Sequence, residues 1–310
     1  MQLLDILIRL LFIGVLFWGC GSNEEVSNSK EVAFYYWKSR CQIRDDFSYS
    51  LYIKVLDISQ KSVIKTKCPK REFTPVVYID NHALKNRDDI AQIIFKTIPQ
   101  NTKEIQIDCD WTKSTQKKYF ALLKEIKKQY KRVTATIRLH QLKYQTKTGV
   151  PPVDGGVLMF YNMSDFLDPN TQNYILDLDE AKKYLRGFKS YPLELDLALP
   201  IYSMATVFRY NRVVSLIDGI TTTMLDNRFK KLSNGRYKVL KTHYFYSKLL
   251  YEGDEIRVDE VSIKKLREVL KLIPFKYNRV IFFRYSSVDI QELLDKDSSL
   301  SKFINFIFML

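Results

Sequence analysis

The stretch "EIQIDCDWT", residues 104–112, decides the fold. Ile105, Ile107 and Cys109 share one parity; Gln106, Asp108 and Asp110 share the other. That alternation is the period of a β-strand. A strand in an open sheet covered by helices on both faces is apolar throughout. A polar parity among β/α repeats therefore points into the wet interior of a closed barrel. The two carboxylates either serve chemistry in that cavity or act as structural partners of other polar side chains lining it.

Working outward, strand-like and helix-like runs alternate. Strands are predicted over 32–38 (VAFYYWK), 51–57 (LYIKVLD), 75–80 (PVVYID), 104–111, 133–140 (VTATIRLH), 157–161 (VLMFY), 193–199 (LELDLAL) and 279–285 (RVIFFRY). The sixth is entered by the turn "PPVDGG" at 151–156. Helices are predicted over 86–98, 114–130, 178–185 and 262–272, with a last one starting over 289–294. The second has the clearest stripe, with Tyr119, Leu122, Leu123, Ile126 and Tyr130 at helical spacing. Eight strands in β-then-α order predict a (β/α)8 TIM-like barrel, an α/β fold, over residues 31–310. Residues 203–260 break the pattern with hairpin-like pieces and read as an insertion between strands 7 and 8. No GxGxxG or P-loop supports a nucleotide-binding open sheet.

The chain opens with Arg9 followed by an apolar run from Leu10 to Trp18 that ends at Gly19-Cys20. The run has the length of a signal-peptide core and is short for a membrane span. Gly19-Cys20 resembles a bacterial lipobox, which implies a signal peptide over 1–19, lipidation of Cys20, and a tether over 20–30. Asn23-Glu24-Glu25 resembles the acidic surface-export signal of Bacteroidetes lipoproteins. The expected address is the cell envelope, with the membrane reached through a lipid anchor.

The net charge is +14, carried by Lys and Arg interleaved with acids. It fits a solvated basic surface, or attraction to an anionic glycan or to anionic headgroups. Export and the lack of a nucleic-acid motif argue against nucleic acid as a partner. Four cysteines and three histidines are present, with no CxxC pattern, so no metal centre and no cofactor are expected. Cys41 and Cys68 each follow a strand-like segment and form a candidate disulfide. Cys109 reads as a small core residue.

Sites of such barrels lie at the C-terminal strand ends. The polar residues there are Asp108 and Asp110 on strand 4, Arg138 and His140 on strand 5, and Tyr161 with Asn162 at strand 6. Asp196 on strand 7 and Arg284 on strand 8 complete the set. Asp80 ends strand 3; Lys54 and Asp57 lie on strand 2 with parity open. Trp37 and Trp111 read as packing residues, although a tryptophan at a barrel mouth can stack on a sugar face.

"DCDW" on strand 4 and "LMFYNM" on strand 6 resemble the chitinase-type glycosidase barrels. That resemblance places Asp108 and Asp110 on two aspartates of the strand-4 motif, and Met159 and Tyr161 on the Met and Tyr of the strand-6 motif. Thr112 stands where the family's catalytic Glu belongs, and Asn162 where an Asp belongs. The longer stretches "IRLHQLK", "TGVPPVDGG", "LMFYNM" and "YPLELDLALPIYS" resemble an uncharacterised family of Bacteroidetes lipoproteins.

Three functions follow as expectations. A glycoside hydrolase would use Asp110 as acid, Asp108 as its electrostatic neighbour and Asp196 as the carboxylate across the barrel, with Arg138, His140, Tyr161, Asn162 and Arg284 holding the substrate. A carbohydrate-binding barrel that has lost its acid would hold a glycan without cleaving it. A divalent metal on Asp108 and Asp110 comes third, because no further acidic ligand is close in sequence.

Overall fold

In a computed structural model, the residues described are 30–43, 45, 47–67, 71–232, 235–285 and 298–308. Among the described residues, sixteen strands follow in chain order. The first eight are β1 (Glu31–Tyr36), β2 (Ser50–Ile58), β3 (Val63–Lys65), β4 (Thr74–Ile79), β5 (Ile105–Cys109), β6 (Val133–Arg138), β7 (Gly155–Met159) and β8 (Leu195–Pro200). Then come β9 (Met204–Arg209), β10 (Arg212–Asp218), β11 (Phe229–Lys231), β12 (Tyr237–Val239), β13 (His243–Phe245), β14 (Lys248–Leu250), β15 (Glu255–Asp259) and β16 (Arg279–Phe283).

β1, β2, β4, β5, β6, β7, β8 and β16 pair in parallel, and β16 pairs back onto β1, so eight strands close a barrel. This is the predicted (β/α)8 TIM-like architecture. Closure leaves the barrel without edges. The short β3 runs antiparallel against β2 on the outside of the repeat.

Helices cover the barrel wall: α1 (Asn81–Asn86), α2 (Ile90–Thr97), α3 (Gln116–Lys127), α4 (Leu139–Lys143), α5 (Gln145–Thr148), α6 (Leu178–Leu185), α7 (Ile263–Leu272) and α8 (Ser298–Phe308). The helix predicted over 86–98 is α2, from Ile90 to Thr97, and α1 precedes it as an element that the sequence pattern did not announce. Asp80 accepts from the Ala83 amide to start α1, and the chain breaks at Arg87 before α2. The helix predicted over 289–294 lies outside the described residues. α3 buries Tyr119, Leu122, Leu123 and Ile126 on the predicted stripe. The "PPVDGG" turn ends earlier than its glycines suggest, since Gly155 and Gly156 already belong to β7. A Cβ on Gly156 would stand 2.8 Å from Leu195 and 2.9 Å from Ile137, so the close packing of neighbouring strands requires glycine there.

Between β8 and β16 the insertion forms its own antiparallel sheet in the order β10-β9-β15-β12-β11, with β13 and β14 as a separate hairpin. It has a small core of its own around Val207, Phe229, Val239 and Ile256. Arg257 and Asp259 on β15 tie the insertion to the barrel. Arg257 donates to the carbonyls of Phe166, Asp168 and Thr171 in the loop after β7, and Asp259 accepts from the Tyr174 amide.

Cys41 is disulfide-bonded. Its predicted partner, Cys68, lies outside the described residues. Arg40 and Lys67, which precede the two cysteines, form an isolated parallel bridge. Peptide mapping without reductant is expected to recover one cross-linked pair containing Cys41 and Cys68; recovery of both as free thiols would refute it. Cys109 is a buried free thiol, as its parity suggested.

Candidate carbohydrate site at the barrel mouth

The opening stretch resolves into three levels of the barrel. Gln106 and Asp108 are buried inside β5, and Asp110 emerges at the C-terminal mouth just past its end. Gln106 accepts from the Tyr35 hydroxyl at 3.0 Å in the middle of the interior. Above it, Thr136 on β6 donates to Asp108 at 2.7 Å. Burial pushes the Asp108 carboxyl up to about 6; the Thr136 hydroxyl opposes that shift and the neighbouring Asp110 adds to it.

Asp110 forms an ion pair with Arg138, and both are about two-fifths exposed. Asp110 is thus the partner of Arg138, and Asp108 is hydrogen-bonded to a hydroxyl instead. His140 is displaced from its predicted place on the strand. β6 ends at Arg138, and His140 sits on the first turn of α4. Partial burial and then the nearby Arg138 lower its pKa, while Asp110 opposes them.

Around the rest of the rim lies an aromatic wall. Tyr161 is buried and stacked on Phe283, with centroids 5.0 Å apart, and Tyr202 packs edge-on against both. Trp37, just past β1, touches Phe283 and Tyr78, and the Lys54 ammonium lies 5.3 Å from its ring centroid. Lys54 also pairs with Asp57 at 2.6 Å, where a bulge shifts the register of β2. Burial, followed by Asp110 and Asp108, pushes the Tyr78 hydroxyl up to about 12. Asn162 adopts φ +54° and accepts from the Tyr202 hydroxyl at 2.5 Å. Asparagine tolerates that left-handed conformation. Arg284 pairs with Asp218 of the insertion, and a cavity of about 660 Å³ opens beside them, bordered by Tyr202, Met224, Glu260 and Lys265.

One placement must be corrected. Asp196 does not face Asp110 across the mouth. It is the second residue of β8 and bonds Arg279, at the start of β16, at 3.3 Å. Arg279 also reaches Glu31 and Glu104, which begin or precede their strands, so the group lies at the N-terminal end. Barrel strands are tilted, so register neighbours drift along the axis from strand to strand. Parity placed Asp196 inside the barrel but could not give its height. A larger cavity, about 1020 Å³, opens at this lower end beside Glu104 and Arg279. Arg279 there holds Glu31, Glu104 and Asp196, and Lys103 holds Glu72, whereas the sites of such barrels lie at the C-terminal strand ends, so the mouth is the better candidate site.

Trp111 turns away from the mouth and stacks on Tyr119 of α3. Thr112 stays at the surface. Its carbonyl accepts from the Thr115 and Gln116 amides, so it serves the first turn of α3. Trp37, Tyr78, Lys54, Thr136 and Tyr202 complete the mouth. Of these, Tyr78, Thr136 and Tyr202 carried no motif; only their places at strand ends or on the inward parity could have marked them. Among the described residues, no three His, Cys, Asp or Glu side chains converge as a metal cluster.

No family model matches the chain, and comparison with curated proteins finds no sequence match. Solved structures do match. A chitinase from Chromobacterium violaceum ATCC 12472 superposes with a TM-score of 0.53 at 8% identity, over 91% of this chain and 100% of that one. The two share the (β/α)8 barrel fold. A class V chitinase from Nicotiana tobaccum gives 0.51 at 11% identity, over 91% and 99% of the two chains. The Bacillus cereus spore cortex-lytic enzyme SleL gives 0.50 at 13% identity, over 83% and 71%. At these identities the likeness to the chitinase-type barrels is one of fold, and function must come from the site.

Proposed function

We propose that this chain is a glycan-binding barrel of the cell envelope, anchored through lipid on Cys20, that holds its ligand without cleaving it. One observation carries the reading. Among the described residues, each carboxylate at the mouth is already engaged, and Thr112 stands where the resemblance puts the acid. Asp110 is held by Arg138, Asp57 by Lys54 and Asp218 by Arg284, while Asp80 caps a helix. Glycosidic cleavage needs a protonated acid beside the bond, and such an acid is created by an apolar setting. A guanidinium partner is the opposite setting. What remains suits recognition. The rings of Trp37, Tyr78 and Phe283 offer a face for a sugar's C–H surface, and the Asp110–Arg138 pair, His140 and Asn162 offer hydrogen bonds to hydroxyls. The anchor reading rests on the short apolar run ending at Gly19-Cys20.

Hydrolysis is the second reading, favoured by the Asp108 carboxyl, which is pushed up to about 6 beside Asp110. There Arg138 would have to leave Asp110 as substrate enters.

A glycan panel with product detection by mass spectrometry separates the two. Binding without released sugar is expected. Trp37→Ala is expected to weaken binding roughly tenfold, the order of one lost aromatic contact. Sugar release by the parent that disappears in Asp110→Asn would overturn the binding reading.

A further inference from the structure

Lys and Arg alternate with acids over much of the chain, but one segment carries most of the net charge. Residues 113–147 carry eleven Lys and Arg against a single acid, Glu125. Four of those cations are satisfied: Lys118 by Asp88, Lys127 by Asp154, Arg132 by Glu104 and Arg138 by Asp110. Lys113, Lys117, Lys124, Lys128 and Lys131 are exposed and have no ion pair among the described residues. On α3 and its flanks, Lys113, Lys117, Lys124 and Lys128 follow helical spacing opposite the buried Tyr119–Ile126 stripe, so they form one outward row.

The row continues onto α4 and α5. Gln116 donates to the Thr148 carbonyl at 2.6 Å and holds the start of α3 against the end of α5. There the Tyr144 ring is 45% exposed, with the Lys143 and Lys147 ammonium groups 5.6 and 6.0 Å from its centroid; Lys143 also donates to the Lys183 carbonyl, which leaves Lys147 as the freer of the two. An exposed ring flanked by lysines has the chemistry of a membrane interface, where the ring enters the headgroup layer and the ammonium groups meet phosphates.

We propose that this face, α3 with α4 and α5, docks on an anionic phospholipid surface. The proposal rests on the lipid-anchor reading, which brings the barrel to a membrane. Charge complementarity selects the occupant, since lysines beside a negatively charged surface are attracted within a Debye length. In a (β/α)8 barrel the outer helices return roughly antiparallel to the tilted strands, closer to the barrel axis than across it. Docking by this wall therefore lays the axis along the membrane and makes the mouth open sideways, parallel to the envelope surface.

The test uses the processed, lipidated full chain in vesicles, either pure phosphatidylcholine or about one-third phosphatidylglycerol, a fraction chosen to give a clearly negative surface. Flotation reports the anchor, and amine-reactive footprinting read by mass spectrometry reports the face. Lys117, Lys124 and Lys128 are expected to be labelled several-fold less on the anionic vesicles. Salt near 1 M should abolish the difference, and Lys230 and Lys248 of the insertion should not change. The variant Lys117→Glu/Lys124→Glu/Lys128→Glu should lose the anionic preference of its remaining footprint at Lys131 and Lys147, with an unchanged denaturation midpoint because all three positions are exposed. Equal labelling on both vesicle types, with flotation intact, would overturn the proposal. Failure to float would instead overturn the anchor reading and, with it, this basis for docking. Protection by soluble dextran sulfate but not by anionic vesicles would replace the lipid with a polyanionic glycan.

Discussion

Arg257→Ala is expected to destabilise the chain by about 3–5 kcal/mol, the cost of breaking a buried ion pair from one side. The Arg257 and Asp259 side chains are essentially without solvent contact and pair at 3.0 Å. Removing the guanidinium strands the Asp259 carboxylate, whose pKa burial already raises and which Arg257 opposes. It also leaves the carbonyls of Phe166, Asp168 and Thr171 without their donor. Arg236, which donates to the Pro169 carbonyl and pairs with Glu255, remains as a second tie between insertion and loop. The loop over 164–174 should therefore become protease-sensitive before the barrel unfolds. Replacing both partners, as Arg257→Met with Asp259→Leu, should recover much of the loss, because no buried charge is left unpaired. Denaturant unfolding of the single and double variants checks this. A loss below about 1 kcal/mol in Arg257→Ala would show that water reaches Asp259.

Asp108→Asn should change the pH dependence of stability more than stability itself. The folded chain holds the Asp108 proton up to about pH 6, whereas an unfolded aspartate releases it near 4. Between those values the folded state binds more protons, so this group lowers stability as pH rises from about 4 to 6, with no further change above. Asparagine keeps the oxygen that accepts from Thr136 and has no proton to lose. The variant is expected to gain up to about 3 kcal/mol on the parent at pH 7 relative to pH 4. Part of the slope will survive, because burial also raises Asp196 to about 6. Unfolding at the two pH values decides it, and an offset that is the same at both would mean that folding does not raise the Asp108 pKa.

The barrel was legible because its signals are local. Alternation in 104–112 marks a strand with one wet face, and eight such runs between helical stripes admit few topologies. The insertion was legible as a break in that rhythm. Among the site residues, Asp108, Asp110, Arg138 and Tyr161 were legible because parity and a strand's last residues place them inside or at the mouth. Parity could not choose which aspartate meets Arg138. That depends on which side chain reaches past the strand end, and Asp110 does.

The sequence by itself determined the eight-strand repeat, the inserted segment, the inward parity and the excess of basic residues. Tertiary structure alone decided the height of each inward residue along the barrel axis. Strand tilt sends Asp196 to the lower end with Arg279 while Asp108 stays under the mouth, because register neighbours in a closed tilted sheet do not share a level. It also decided which charges are neutralised, since ion pairs such as Arg284 with Asp218 join residues that only folding brings together. The helices on the barrel wall likewise turned a basic stretch of chain into one outward face.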